Sequence, residues 1–356
     1  MSLLLDVMRR RPRPLTDLAD GDRVVLFPSL GQLSTDQRHW IVQIHGDVST
    51  AGRMTLGKRL LLKLLQRTMR ATNDDFASPL FQQRIARFVA QDRPGKRIAV
   101  RIGEAVVPLP KTTRRNGHFQ SLVKVPCEEV AESGSPAAQE LPLAVHSLTC
   151  EAPLPGRAFL LAPRGLSVIS DIDDTLKHSF VACKRTLLAN TFLRPFETIP
   201  GMAGLFRDWA AAGAAIHYVS SSPWQLYQHL AEHLQAEGFP DGSFHLRAFR
   251  LRDHLLRRLL MLRRSGKIGV IRNILRMYPQ RRFLLIGDSG EHDPEIYGAL
   301  ARRFPQQVAG VLIRQLDDPR SSPQRFTKAF RHVDPLLVRL YRDSGELSAV
   351  RLPEMA

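Results

Sequence analysis

The chain has 356 residues, enough for two domains that each bury a hydrophobic core. Its 51 Lys and Arg residues exceed its 34 Asp and Glu residues, and the net charge of +17 predicts attraction to polyanions, either nucleic acid or an anionic membrane. The longest apolar stretches are far too short for a membrane span, which argues against an integral membrane protein.

The first part of the chain is predicted to be a small β-rich, sandwich-like domain at residues 22–155, preceded by a basic, flexible segment at residues 1–21. Helical periodicity within it predicts a helical insertion at residues 55–70 and 78–92. The boundary is expected where prolines cluster, at residues 150–163. Short apolar runs predict its strands at 24–27, 40–46, 96–102, 104–108, 117–122 and 141–148, with a polar loop at 128–140.

Beyond this boundary, strands and helices alternate, which predicts an α/β domain with a doubly wound parallel sheet at residues 160–320. Residues 176–199 are too few for a full cap domain, so we expect a lid-like loop and an open site that admits large substrates. Residues 321–356 are expected to hold a C-terminal tail and a basic helix, the helix at residues 323–342.

Residues 166–175 are the most informative stretch, because an apolar run there delivers Asp171 and Asp173 at the carboxyl end of a predicted buried strand. Asp171 suits an aspartyl nucleophile in phosphoryl transfer, and Asp173 suits general acid-base catalysis beside it. Thr175 is predicted to brace the turn. The pair alone is equally compatible with a calcium-binding turn or a helix cap.

Three further elements add polar groups at predicted strand and helix ends. The run at residues 214–219 ends in Ser220 and Ser221, at a predicted strand-to-helix junction whose hydroxyls and amides suit a phosphate. Lys267 opens a helical pattern and can neutralise phosphate charge. The run at residues 283–286 leads to Asp288, with Asp293 five residues later.

This set of carboxylates suits Mg²⁺, which proteins hold by one or two carboxylates together with phosphate oxygens and water. We predict side-chain ligation by Asp171 and Asp288 and a third ligand from the main-chain carbonyl of Asp173. Asp293 is expected to position Lys267 or a water on the metal.

The order of these motifs resembles the haloacid dehalogenase (HAD) phosphatase superfamily. Residues 169–175, 199–202, 217–224 and 285–297 are similar, more narrowly, to the actin patch protein family of phosphatidate phosphatases, which are related to the lipins. The resemblance implies an HAD-like fold with a minimal cap and Mg²⁺-dependent hydrolysis of phosphatidate. It implies that Asp171 is the nucleophile, Asp173 the acid/base and Asp288 a metal ligand, with Ser220 and Lys267 holding the phosphate.

Three functions remain open from the sequence. We favour a cytoplasmic phosphatase for phosphatidate or another lipid phosphate, peripheral to an anionic membrane through a basic, leucine-rich segment at residues 247–267. A phosphatase for soluble or nucleic-acid terminal phosphates is the second hypothesis, and we rank nucleic acid below lipid as a partner. A non-catalytic protein that binds anionic lipid is the third, although its expected signature, the loss of Asp171 or Asp173, is not seen.

Overall fold

The computed structural model describes residues 15–130, 134–135, 138–146, 154–248 and 264–347. These residues form a ten-stranded sheet in the N-terminal part of the chain and a six-stranded sheet in the C-terminal part. All six strands of the second sheet run parallel. The predicted class, an α/β protein with a parallel sheet and a β-rich N-terminal part, is confirmed at this level.

The N-terminal strands belong to one hydrogen-bonded sheet, whereas the sequence predicted a sandwich-like arrangement. The main path follows the order β1-β3-β2-β10-β9-β5-β6, and every pairing is antiparallel except that of β2 with β10. The strands are β1 (Asp22–Phe27), β2 (Ser29–Leu33), β3 (His39–Thr50), β4 (Gln91–Asp92), β5 (Ala99–Ile102), β6 (Ala105–Pro108), β7 (His118–Pro126), β8 (Gly134–Ser135), β9 (Ala138–His146) and β10 (Leu154–Leu161).

The predicted helical insertion is confirmed between β3 and β4. It consists of α1 (Leu56–Met69), α2 (Asn73–Ala77) and α3 (Pro79–Val89). The side chains of Thr55, Thr72 and Ser78 accept hydrogen bonds from backbone N–H groups in the first turns of these helices. Such N-caps satisfy donors that have no partner within the helix, which explains where each helix begins.

The parallel sheet has the strand order β13-β12-β11-β14-β15-β16. Its strands are β11 (Leu166–Ser170), β12 (Ala214–Pro223), β13 (Gly242–Arg247), β14 (Arg282–Asp288), β15 (Val308–Arg314) and β16 (Val338–Tyr341). From β11 the chain proceeds outward to β13 and then returns to β14 on the other side of β11. Ligands of such sheets bind at this reversal, beyond the carboxyl ends of the strands.

Helices cover both faces of the parallel sheet, which explains why its strands are apolar throughout. Along β14, Leu284 and Ile286 pack into the hydrophobic core on one face, and Phe283 and Leu285 pack into the core on the other. The helices of this part are α4 (Lys184–Phe192), α5 (Met202–Ala211), α6 (Tyr227–Ala236), α7 (Arg264–Met277), α8 (Asp293–Arg303) and α9 (Pro323–Ala329).

The helical insertion packs against α4, a helix that follows the first strand of the parallel sheet. Leu61 and Leu65 of α1 and Phe88 of α3 share a hydrophobic core with Phe192 of α4. Arg84 of α3, which is 4% exposed, donates hydrogen bonds to the carbonyls of residues 190, 191 and 194 at the end of α4. These carbonyls have no partner within the helix, so Arg84 links the insertion to α4.

The predicted helix at residues 323–342 is wrong beyond Ala329. Pro335 cannot continue a helix, and the side chain of Asp334 instead caps a short 3-10 turn at Pro335–Leu337. Val338–Tyr341 then forms β16, which pairs in parallel with β15. The apolar residues of this region fill an edge strand of the sheet.

Two other expectations need correction. The proline-rich residues 150–163, where we expected the domain boundary, contain strand β10. Pro155 lies near the start of this strand, where a proline is tolerated. The segment 176–199 is more than a loop, since it contains α4. The domain boundaries themselves stay a prediction.

Candidate active site

The two aspartate motifs meet at the carboxyl edge of neighbouring strands. β11 pairs with β14, with Ser170 opposite Ile286, so Asp171 and Asp173 emerge beside Asp288. The backbone N–H of Asp171 donates to the carbonyl of Ile286 at 2.9 Å, which extends the pairing by one residue. Because β11 and β14 flank the reversal of the strand order, these carboxylates lie where an α/β sheet binds its ligand.

Lys267, in the first described turn of α7, lies between two carboxylates. Its Nζ is 2.8 Å from Oδ1 of Asp171 and 2.5 Å from Oδ1 of Asp293, without the angles of good hydrogen bonds. All three side chains are at most 3% exposed. Burial alone would lower the pKa of Lys267, but Asp171 and Asp293 outweigh it and raise this pKa well above its usual value.

Asp171, Asp288 and Asp293 form the group of acidic side chains in the described ranges that can hold a metal ion. One carboxylate oxygen from each lies within 4.8 Å of the others. Burial, and then the neighbouring acids, raise the pKa of Asp288 well above its usual value, and burial raises that of Asp171 similarly although Lys267 opposes it. Such crowding of buried carboxylates is relieved by a cation.

The donor set fits a hard divalent cation. Among the described residues, Oδ2 of Asp171 and Oδ2 of Asp288 have no hydrogen-bond partner although both are buried. Buried polar atoms are nearly always satisfied, so these two oxygens are open for a ligand. Oxygen donors alone suit Mg²⁺ or a similar ion.

Asp173 is held differently from Asp171. Its carboxylate accepts hydrogen bonds from Nζ of Lys177 (2.7 Å) and from the hydroxyls of Ser179 (2.7 Å), Ser220 (3.0 Å) and Ser222 (2.8 Å). Burial alone would raise the pKa of Asp173, but Lys177 and the hydroxyls outweigh it and hold this pKa well below its usual range. Without substrate, Asp173 is therefore an ionised carboxylate that binds a proton only weakly.

The predicted serines are strand residues, since β12 continues to Pro223 and a 3-10 turn at Trp224–Leu226 precedes α6. Ser220 faces Asp173, as described above. The hydroxyl of Ser221 donates to Oε2 of Glu291 at 3.1 Å. Both serines lie at the predicted edge of the sheet. The sequence predicted that a helix starts directly after them and supplies backbone amides, whereas the structure has the end of strand β12 there.

Thr175 does not brace the turn through its side chain, because its buried Oγ1 has no hydrogen-bond partner in the described part of the chain. Asp174 performs this task. Its carboxylate accepts hydrogen bonds from the backbone N–H groups of Ser179, Phe180 and Val181 at 2.7–2.8 Å. Asp174 has a φ of 55°, a left-handed conformation that Asp tolerates better than most residues.

The sequence reasoning missed Lys177 and Glu291 as members of the site. Lys177 is 2% exposed and forms the ion pair with Asp173. Glu291 is 6% exposed, and burial together with Asp293 and Asp173 raises its pKa to about 7 against the opposing effect of Lys267. Glu291 belongs to the motif at residues 285–297, whereas Lys177 lies two residues beyond the motif at residues 169–175. Their ionisable side chains close to the key aspartates were the available signal.

A narrow cavity of about 50 Å³ leads from these polar groups into an apolar region. Asp173, Ser221, Ser222 and Glu291 line its polar end. The apolar lining comes from α3, α4 and the segments beside them, through Phe88, Val181, Leu187, Leu188, Phe192, Pro223 and Leu226. The site therefore presents apolar side chains directly beside its carboxylates.

The basic segment at residues 247–267 lies mostly outside the described residues, which omit 249–263. Its predicted contact with a membrane stays a prediction. In the parts of the chain that the structure covers, no helix is both long and apolar enough to cross a bilayer.

Residues 166–315 match the family described as "Phosphatidate phosphatase APP1, catalytic domain". The chain is 32% identical over 181 residues to Phosphatidate phosphatase APP1 of Saccharomyces cerevisiae, a match that covers 47% of this chain and 30% of that protein. It is 34% identical over 161 residues to an uncharacterized protein of Schizosaccharomyces pombe, covering 44% and 26% of the two chains. The resemblance to this family is thereby confirmed for the matching residues.

The chain thus spans about a third or less of the length of these relatives. Among solved structures, a β-glucuronidase of Parabacteroides merdae aligns over 82% of this chain and 40% of its own, with 7% identity and a TM-score of 0.24. Similarity of this size carries no argument about fold or function.

Gly287 provides a test of the carboxylate cluster, because a Cβ there would overlap the carboxylate of Asp293. We expect Gly287→Ala to displace Asp293, to lower the free energy of unfolding by about 1–3 kcal/mol and to weaken binding of a divalent cation at least about tenfold. Chemical denaturation and titration calorimetry measure the two effects.

Gly269→Ala is the matched control, since a Cβ at this position in α7 meets no atom of the described residues within 4 Å, the nearby backbone of its own helix aside. We expect it to leave binding of a divalent cation unchanged and to stabilise the protein by up to about 1 kcal/mol, because alanine favours a helix. Equal behaviour of the two variants would contradict the packing described for Asp293.

Proposed function

We propose that the chain is a Mg²⁺-dependent phosphatase with an HAD-like catalytic domain that hydrolyses phosphatidate or a similar lipid phosphate. One observation supports this most: Asp171 lies at the reversal of the strand order beside Lys267, and in the described residues neither of its carboxylate oxygens has a hydrogen-bond partner. One oxygen can then attack a phosphate dianion beside a buried cation while the other remains available to a metal ion.

The reaction we propose has two steps. Asp171 attacks phosphorus, the bond from phosphorus to the alcohol oxygen breaks, and an aspartyl-phosphate forms while the alcohol leaves with a proton from Asp173. Water then attacks the aspartyl-phosphate, gives a proton to Asp173 and releases inorganic phosphate, which restores Asp171. Asp173 thus acts as acid in the first step and as base in the second.

In the free protein the contacts of Asp173 keep it ionised and only weakly basic. The acid role requires a proton on Asp173 when the ester binds. A phosphate that enters beside Asp173 brings negative charge and competes for Lys177 and the serine hydroxyls, and both effects raise the pKa of this carboxyl. Substrate binding would therefore prepare Asp173 as the acid.

The remaining site residues would bind and orient the phosphate. Lys267 offsets its charge, and the hydroxyls of Ser220 and Ser221 are within reach of the same edge of the sheet. Mg²⁺ would be held by Asp171, Asp288 and the main-chain carbonyl of Asp173, with Asp293 positioning Lys267. When bound, such an ion screens the repulsion between carboxylates and phosphate.

A lipid phosphate is favoured over a soluble one by the apolar cavity that opens beside Asp173 and Glu291. A terminal nucleotide would place its sugar and base against Leu187, Leu188 and Leu226 of this cavity. The polar groups of the nucleotide would lose hydrogen bonds to water there. The name of the yeast relative is consistent with a lipid substrate. The charge of +17 supports peripheral contact with an anionic membrane but suits nucleic acid as well.

A substrate panel tests this function. We expect phosphate release from vesicles that contain phosphatidate to exceed release from oligonucleotides with 3′- or 5′-terminal phosphates by at least about tenfold. Asp171→Asn should abolish release from both because the amide is a poor nucleophile, and the isosteric change Asp74→Asn, at an exposed position, is the control.

Each alternative has its own result in this panel. Faster release from the oligonucleotides would favour the nucleic-acid phosphatase. Vesicle binding without release from any phosphomonoester would favour the non-catalytic lipid-binding protein. Full activity of Asp171→Asn would remove Asp171 from the role of nucleophile.

The acid role of Asp173 has a separate test. Asp173→Asn should slow release of the alcohol from an alkyl phosphate by about 10²–10⁴-fold and release of the phenol from an activated aryl phosphate by less than about tenfold, because only the alkoxide needs a proton to leave. Single-turnover rates of alcohol and phenol release measure the difference, since this step precedes hydrolysis of the aspartyl-phosphate, in which Asp173 would act as the base with either ester. Equal losses on both would show that Asp173 acts by positioning the site and not as the acid.

A further inference from the structure

Helix α1 has two apolar faces, of which only one is buried. Leu61, Leu65 and Met69 pack into the core. Leu56, Leu60 and Leu64 follow one another at intervals of four residues on the opposite side and are 84%, 61% and 37% exposed. Residues four apart share a helix face, so these three leucines form a continuous exposed stripe, which we call the leucine stripe.

The leucine stripe lies in a segment that carries only positive charge. Residues 53–70 contain no Asp or Glu. Their basic residues are Arg53, Lys58, Arg59, Lys63, Arg67 and Arg70, of which only Lys58 is buried. Arg59 and Lys63 precede Leu60 and Leu64 by one residue and therefore flank the stripe along one edge. Exposed leucines flanked by lysine and arginine are typical of helices that lie in a membrane interface.

The position of α1 relates the leucine stripe to the site. α1 packs against α4, whose Leu187, Leu188 and Phe192 line the cavity that reaches Asp173. A surface that binds α1 would thus lie one helix away from the cavity that reaches Asp173. A substrate that remains in a bilayer needs this arrangement, because its headgroup must reach Asp171 while its chains stay in the lipid.

We infer that α1 docks this protein on anionic lipid surfaces by inserting the leucine stripe, while Arg59 and Lys63 contact lipid phosphates. The role of this docking in catalysis rests on the proposed function. Charge complementarity selects the occupant. A second copy of the chain would bring two basic helices together, which repel each other, whereas an anionic bilayer attracts the charges and accepts the leucines.

Vesicle sedimentation tests the docking helix. The triple variant Leu56→Gln/Leu60→Gln/Leu64→Gln is compared with the wild type on vesicles of phosphatidylcholine and phosphatidylserine that contain no phosphatidate. We expect its partition coefficient to fall at least about tenfold, because the stripe no longer gains from leaving water. Turnover of a soluble aryl phosphate should stay at the wild-type rate, since the stripe lies outside the catalytic site.

Leu122→Gln/Leu336→Gln is the matched control. Leu122 and Leu336 are 63% and 93% exposed, so their exposure is similar to that of Leu60 and Leu56. They lie elsewhere in the fold, on β7 and on the 3-10 turn before β16. We expect this control to bind vesicles like the wild type. A second variant, Arg59→Gln/Lys63→Gln, should lose binding to the anionic vesicles, and added salt should weaken the wild type in the same way.

Two results would overturn the inference. One is an equal loss of vesicle binding in the control. The other is wild-type binding by the triple variant, and a change in its molecular mass or shape in analytical ultracentrifugation would then indicate that the stripe contacts a second copy or another part of the chain. Asp171→Asn separates this inference from the proposed function, because it should bind vesicles normally even though it releases no phosphate.

Discussion

The contact of Lys267 with Asp171 and Asp293 is the interaction on which the site depends. Three carboxylates, those of Asp171, Asp288 and Asp293, are gathered in the protein interior, and Lys267 is the cation among them. Removing one partner of a buried ion pair costs about 3–5 kcal/mol, because the remaining charge is left without compensation. One ammonium group does not balance three carboxylates. Burial first, and then the neighbouring acids, raise the pKa values of Asp171 and Asp288 against the opposing effect of Lys267. Such a cluster suits a divalent cation.

The fold creates this cluster by strand order. β11 and β14 are distant in sequence but adjacent in the sheet, so the residues that follow them share one edge. Asp171 and Asp173, only two residues apart, then receive opposite environments. Among the described residues, Asp171 has one cation beside it and no hydrogen-bond partner, whereas Asp173 is surrounded by Lys177 and serine hydroxyls. The two carboxylates can therefore perform different tasks, one as the proposed nucleophile and the other as the proposed proton carrier. The helical insertion adds Phe88 to the apolar side of the site, beside residues of α4, and α1 supplies the proposed contact with lipid.

The parts of this arrangement that the sequence predicted are those encoded by short, periodic patterns. The apolar run before Asp171 and the run before Asp288 predicted buried strands, and their carboxyl ends could be placed at one edge without knowing any contact. Lys177 and Glu291 could not be assigned in this way, because their roles depend on which side chains face them across the turn. Val338–Tyr341 was misread as helix because a short apolar run has no clear period, and only its pairing with β15 decides its structure. The leucine stripe was likewise hidden, since leucines on both faces of a helical pattern do not reveal which face is covered.

The central claim is that Asp171 carries the phosphoryl group. The direct measurement is reduction of the enzyme with borohydride during turnover, followed by peptide mass spectrometry, because borohydride converts an aspartyl-phosphate to homoserine. The account predicts homoserine at residue 171 in the presence of substrate and unmodified aspartate at this position in its absence. Continued turnover with no modification at residue 171, or substrate-dependent modification at another carboxylate, would contradict it.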